Sequence, residues 1–292
     1  MPKTDSERLE QSRVLIVAGL IEEADVMAGV LTSASYRQGR GVSGLSLKHS
    51  VFLSKPISKG ERQLACAVVT PTGMGKLEAA VATTEAVICF QPRFVFLVGI
   101  AGAFRHGPRA SSSKAMHLGD VLVARYIYDF DMRKISADGN VGLRSRTMQT
   151  DPHLLEVAAH VSGTAWHSNI PMHVRRGMKP QVHFGALVSG DAVVASENFF
   201  ERAREIERDF ILEQSKSPIG VEMEGVGVAL AVQRIRPGAG FLLVKGISDF
   251  ADSHKHSDEL AGRTLAKYGA AGFVVSMMGS DRFKKLSQGW AR

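Results

Sequence analysis

Two cysteines in 292 residues, Cys66 and Cys89, are too few for a disulfide scaffold or a cysteine zinc site, and both lie in apolar patterns that read as packed thiols. No apolar run approaches the ~18 residues of a membrane span, so no membrane partner is expected. Met1 to Gln11 is polar and lacks the apolar stretch of a secretory leader, which makes the expected compartment the cytoplasm. His254 and His256, beside Asp252, have no recognised ligand spacing, so no metal is expected. The net charge of +7 is spread along the chain, without aromatic interleaving or a nucleic-acid motif, so a nucleic-acid partner is not expected either. Repeats and low-complexity linkers are absent as well.

What is present is a large apolar fraction, 45% of residues, enough to bury one sizeable core. The expected organisation is one domain over 13–280, between a polar tail at 1–12 and a second tail at 281–292. Arg13 to Gly19 is a continuous apolar run of the kind buried on both faces of a parallel sheet, with a helix to follow. Tyr36 to Ser54 alternates like a hairpin, and Glu61 to Thr70, Arg93 to Val98, Leu118 to Ala124 and His183 to Ser189 read as further strands. Helices are expected from Leu77 to Phe90, Asp151 to Val161 (Asp151 as N-cap, Pro152 at its first position), Ser196 to Phe210 and Asp258 to Met278. Phe104 to His117 and Arg125 to Thr150 read as long polar loops, the second a candidate lid. Strands alternating with helices predict an α/β sandwich around a mixed, mainly parallel sheet.

Charge is placed oddly at the strand ends. Pro218 to Gly225 is a short apolar strand that delivers Glu222 and Glu224 to the mouth of a small-residue helix, and Phe241 to Asp249 is a buried-type strand ending in Ser248-Asp249. Carboxylates near a core cost several kcal/mol unless paired or used. Glu22 and Glu23 follow the first strand, at the edge where open α/β sheets place ligands. Thr72-Gly73-Met74-Gly75-Lys76 opens a helix with two glycines that allow close backbone approach, but its spacing is not Walker A. Gly99, Ala101 and Gly102 leave room for a flat ring on backbone.

Together, Val221-Glu222-Met223-Glu224, Gly246-Ile247-Ser248-Asp249 with Ala251-Asp252, Gly73-Met74-Gly75-Lys76, Val98 to Gly102 with Gly119-Asp120, and Val188 to Ala192 resemble the purine nucleoside phosphorylase superfamily. The nearest pattern is its 5′-methylthioadenosine/S-adenosylhomocysteine nucleosidase branch. The motifs keep the family's order over residues 13 to 278, with looser likeness between them. The resemblance implies a three-layer nucleoside phosphorylase-like sandwich, a purine nucleoside or nucleotide as ligand, no cofactor, and a homodimer or other homo-oligomer.

It also implies roles. Asp249 is the acid that protonates the purine at N7, with Ser248 orienting it. Glu23 activates water. Glu224 accepts the ribose hydroxyls, Met223 packs on the sugar, and Glu222 supports them. Gly99, Ala101, Gly102, Val193 and Val194 line the ligand, although an aromatic expected to stack on the base is missing near Val193 and Val194; Phe199 or Phe250 is a substitute.

The chemistry is coherent, because cleavage passes through a cation-like sugar that a carboxylate stabilises, and a purine leaves readily only when protonated. Phosphorolytic relatives hold phosphate with arginines and a serine. Here the matching loops offer Glu22, Glu23, Leu97 and Ile100, which favours water. Three alternatives stay open: a phosphate-dependent phosphorylase, an inactive binding or signalling module, and a nucleosidase of AMP or ATP, whose phosphates would meet Arg105, Arg109, Arg125, Arg133, Lys134, Arg144 or Arg146.

Overall fold

The computed structural model describes residues 12–35, 37–38, 49–54, 64–104, 115–137, 141–144, 146–192, 218–251 and 259–289. The first half runs β1 (Ser12–Ala18), α1 (Ile21–Ser33), β2 (Arg37–Gln38), β3 (His49–Ser54), β4 (Leu64–Thr70), α2 (Lys76–Phe90), β5 (Phe94–Ala103) and β6 (Val121–Asp129). After β6 come β7 (Arg133–Ile135), β8 (Val141–Leu143), β9 (Thr147–Gln149), α3 (Pro152–Ser162), α4 (Met172–Arg175) and β10 (Val182–Ser189). The last third holds β11 (Pro218–Glu222), α5 (Gly225–Ile235), β12 (Gly240–Asp249), α6 (Glu259–Gly279) and α7 (Asp281–Gly289).

The continuous apolar strands are buried on both faces, and their alternation sorts side chains into two cores. Val14, Ile16, Phe94 and Phe96 meet Met27 and Leu31 of α1, Leu154 of α3, Phe273 of α6 and Phe283 of α7. On the other face Leu15, Val17, Val95 and Leu97 meet Ala79 and Val87 of α2 and Val226 and Val228 of α5. The result is helix, sheet, helix.

The sheet order is β11-β10-β6-β12-β5-β1-β4-β3-β2, with β9 added on β6. Strands β4, β1, β5 and β12 pair in parallel, and so do β6, β10 and β11. The two groups meet antiparallel at β12–β6 and again at β11–β5, which closes β5, β12, β6, β10 and β11 into a ring. This closure brings the end of β11 against the end of β5. Glu222 is thereby carried to the same edge as Asp249.

Three expectations are corrected. Residues 125–150 are not one long loop: β6 continues to Asp129, β7 and β8 form a hairpin, and β9 returns to pair with β6. The expected C-terminal tail is largely α7, anchored by Phe283, which is buried with its ring 5.0 Å from that of Phe94. Cys89 is exposed on α2, whereas Cys66 is buried. Asp151 caps α3 as expected, accepting from the Leu154 N–H at 2.9 Å. Residues 1–11, 105–114 and 193–217 lie outside the described residues, and with them the expected helix from Ser196 to Phe210. Among the described residues no helix is long and apolar enough to cross a membrane.

Close helix–sheet contact has a testable consequence at Gly246, where an added Cβ would lie 2.0 Å from the Ala266 carbonyl oxygen of α6. Backbone cannot step aside as a side chain can. Gly246→Ala is therefore expected to cost at least the 1–3 kcal/mol typical of overpacking, read as a lower urea midpoint.

Candidate active site

Glu23 is the third residue of α1, yet it points back into the protein and is 5% exposed. Its two oxygens accept from the Leu20 N–H at 3.0 Å and the Ile100 N–H at 2.9 Å. Gly99 makes this seat possible, because a Cβ there would lie 2.7 Å from both carboxylate oxygens. Burial pushes the Glu23 carboxyl above the ordinary glutamate range. The Lys245 ammonium and the two N–H donors oppose that shift, and the charge of Glu224 reinforces it.

At the end of β11 the two glutamates part company. The Glu222 side chain is fully enclosed and caps α5: its oxygens accept from the Gly225 N–H at 2.9 Å and the Glu224 N–H at 3.0 Å. Expected among the ligand-binding residues, Glu222 is thus a helix cap whose carboxylate faces backbone, and burial raises its pKa. Glu224 turns the other way, toward Gly19, where a Cβ would lie 3.0 Å from the Glu224 carboxyl carbon. Met223 stands half-buried between them.

Lys245 of β12 joins these groups. It is 1% exposed, with Nζ 2.9 Å from Glu224 Oε2 and 3.6 Å from Glu222 Oε2. Burial alone favours the neutral amine, but the carboxylates of Glu224, Glu222 and Glu23 outweigh it and hold the ammonium above the usual lysine range. Sequence reading passed over this residue, although one lysine in the apolar run from Phe241 to Ile247 was the available signal. Lys245→Met leaves buried carboxylates without their counter-charge. The expected loss is about 3–5 kcal/mol of stability at neutral pH, measured by chemical denaturation, and smaller in acid, where the carboxyls are neutral.

Asp249 ends β12 where the ladder with β5 slips: Ile247 pairs with Ala101 and Asp249 with Gly102, leaving Ser248 as the extra residue. Asp249 Oδ1 accepts from the Ala251 N–H at 2.9 Å, and the Ser248 hydroxyl lies 2.8 Å from Oδ2. Gly102 is needed here, since its Cβ would lie 3.0 Å from Asp249 Oδ1.

The structure therefore brings Glu23, Met223, Glu224, Ser248, Asp249 and the Gly99–Gly102 floor to one sheet edge. Val193, Val194 and Phe199 lie outside the described residues, as do Asp252, His254 and His256; Phe250 is half-buried beside the edge. The Gly73-Met74-Gly75-Lys76 turn offers its Lys76 N–H to Asp191 Oδ1 at 2.9 Å, and Lys76 Nζ lies 2.9 Å from Asp129 and 2.6 Å from Asp131. That turn binds protein carboxylates. Glu22 pairs outward with Arg263 at 3.0 Å and Lys267 at 3.5 Å. Among the described residues no group of three or more His, Cys, Asp or Glu is placed to hold a metal ion.

With this geometry established, comparison with known proteins decides the family. The model of the phosphorylase superfamily matches residues 51–275. The chain belongs to the phosphorylase superfamily. A curated member, the 5′-methylthioadenosine/S-adenosylhomocysteine nucleosidase of Staphylococcus epidermidis, is 26% identical over 188 residues, covering 63% of this chain and 69% of the relative. Among solved structures, the nucleosidase of the same name from Colwellia psychrerythraea, in complex with adenine, matches with a TM-score of 0.64 at 19% identity, over 92% of this chain and 96% of that one. Futalosine hydrolase of Helicobacter pylori matches with a TM-score of 0.63 at 21% identity, over 92% and 97% of the two chains. At these identities the structural likeness concerns the fold. The nucleoside phosphorylase-like α/β architecture with a mixed sheet is thus shared with these structures.

Proposed function

We propose that this protein is a hydrolytic, adenine-preferring purine nucleosidase. The observation that carries the reading is the convergence of Glu23, Glu224 and Asp249 from three separate elements on one edge, with Lys245 between the two glutamates. Relatives named as nucleosidases support it. Glu23 takes a proton from water as the water oxygen bonds to C1′ of the sugar. The C1′–N9 bond breaks, its electron pair goes to the purine, and Asp249 delivers a proton to N7. Glu224 accepts the ribose hydroxyls, and its charge favours the cation-like sugar.

Water is the favoured nucleophile because the nucleophile side is lined by Glu23 and Glu224, while the adjacent cation, Lys245, is already surrounded by carboxylates. A phosphate dianion entering there meets like charge. The test is a panel of adenosine, methylthioadenosine, AMP and ATP, with and without phosphate, scored by released base and by sugar product. Free sugar at a phosphate-independent rate is expected; ribose 1-phosphate or its 5′-substituted form as the main product returns the protein to the phosphorolytic members.

The nucleotide arms of the panel are included because Lys134, Arg144 and Arg146 are exposed around the β7–β8 hairpin. If AMP or ATP exceeds adenosine in kcat/KM, the substrate is the nucleotide. The reading also includes a homodimer. Exposed Met74, Leu77, Val81 and Ile88 run along one side of the α2 region, an apolar stripe that a second copy covers.

A further inference from the structure

Strand β6 exchanges the faces of its side chains halfway along. Val121 and Val123 belong to the core on the α3 side, whereas Leu122, Ala124 and then Ile127 belong to the core on the other. Odd and even positions have therefore changed places between Ala124 and Ile127. The ladder with β10 shows how: Gly185 pairs with Ala124 and Ala186 with Tyr126, which leaves Arg125 as an extra residue. Such bulges are rare in parallel pairs, and they re-aim side chains. Arg125 and Tyr126 leave the strand on the same side, toward α3, where a regular strand would turn one of them into the opposite core. Buried Thr150 pins the bulge, its N–H donating to the Arg125 carbonyl at 3.2 Å and its hydroxyl lying 2.7 Å from the Ala124 carbonyl oxygen and 3.1 Å from that of Arg125.

Both side chains open onto a pocket of about 330 Å³ between β6, β9 and the first turns of α3, with Gln149, Leu155, Glu156 and Ala159 on its other walls. Its size is at the lower end of small-molecule sites. No residue of the catalytic edge lines it. The Arg125 guanidinium is oriented from behind by the Phe184 ring of β10, 5.5 Å from its central carbon, and among the described residues no carboxylate pairs with it. Glu156, the carboxylate in the same walls, lies 2.9 Å from the Arg282 guanidinium of α7 instead. The pocket thus combines one cation, the apolar surface of Leu155 and Ala159, and two side chains able to donate hydrogen bonds, Tyr126 and Gln149.

We propose that this pocket binds a small organic carboxylate with an apolar body, the carboxylate on the Arg125 guanidinium and the body on Leu155 and Ala159. A planar guanidinium fork matches a planar carboxylate with two parallel charge-assisted bonds. One cation calls for one negative charge. A phosphate dianion would bring a second charge into a pocket that already holds the Glu156 carboxylate, and like charges repel. The site is independent of the nucleosidase reading, because it uses none of Glu23, Glu224 and Asp249.

The test is a titration of the full chain by saturation-transfer NMR with phenylacetate, its neutral isostere phenylacetamide and inorganic phosphate, on wild type, Arg125→Met and Ala159→Phe. Phenylacetate is expected to saturate the wild type, and Arg125→Met to weaken it by about 10- to 100-fold, the range for a hydrogen bond to a charged group. Ala159→Phe fills the pocket from an exposed helix position and is expected to abolish saturation. Where Arg125→Met lowers the melting temperature, Ala159→Phe decides alone. Failure of phenylacetate to saturate the wild type, or binding that Ala159→Phe leaves unchanged, overturns the site. Phenylacetamide binding as tightly as phenylacetate overturns the role of Arg125, and phosphate binding more tightly than phenylacetate overturns the choice of a carboxylate.

Discussion

Asp249→Asn is expected to reduce adenine release by about 10²- to 10⁴-fold, the usual worth of general acid catalysis, with little change in melting temperature. The surroundings accept an amide. Its oxygen takes the place of Oδ1 as acceptor for the Ala251 N–H, and its NH₂ faces the Ser248 oxygen, which accepts. Shape and hydrogen bonds persist while the transferable proton is gone, so the loss is one of chemistry. The same assignment orders the bases. A carboxyl that donates to N7 and accepts from the 6-amino group suits adenine, whereas a 6-oxopurine presents an acceptor at that point. An Asn variant within ten-fold of wild type, or faster turnover of inosine than of adenosine, removes Asp249 from this role.

Much of the architecture was legible because its strands announce burial on both faces. The alternate residues of β1 and β5 divide cleanly between the two cores, as their unbroken apolar runs predict. What escaped was structure whose stability is borrowed from a neighbour. Strand β9 is only Thr147–Gln149 and exists by pairing with β6, and β7 and β8 have three residues each, too short for a period to register. Helix α7 is mostly polar, and its attachment rests on Phe283 reaching Phe94 and Phe96.

The site divides the same way. Glu23, Glu224 and Asp249 were visible as acids at strand ends, but the ring closure that gathers them depends on β11 meeting β5 antiparallel, a tertiary fact. Glu222 and Glu224 sit two residues apart, and only the start of α5 decides that the first caps the helix while the second faces Lys245. The slip at Ser248 leaves no mark in composition at all.

Glu23→Gln is expected to lower kcat by about 10²- to 10⁴-fold as well, because an amide cannot take a proton from water. The replacement is less neutral than at Asp249. Both Glu23 oxygens accept from backbone N–H groups, so the NH₂ of glutamine must face one donor with another, at about 1 kcal/mol or more for the lost bond. The pH dependence follows from the raised pKa. As a base Glu23 works ionised, so kcat/KM rises with pH through the Glu23 pKa, and burial places that acid limb above the ordinary glutamate range. Stability moves the opposite way. A carboxyl with a folded pKa above its unfolded one contributes stability that is complete below the unfolded pKa and lost as pH rises through the folded pKa. The wild type therefore loses stability relative to Glu23→Gln over the same interval in which it gains activity. The charged groups acting on Glu23 are Lys245 and Glu224, and the Lys245 ammonium holds its pKa down. Lys245→Met is expected to carry the acid limb to still higher pH. A limb at the ordinary glutamate value, or one that Lys245→Met leaves in place, assigns the base to another residue.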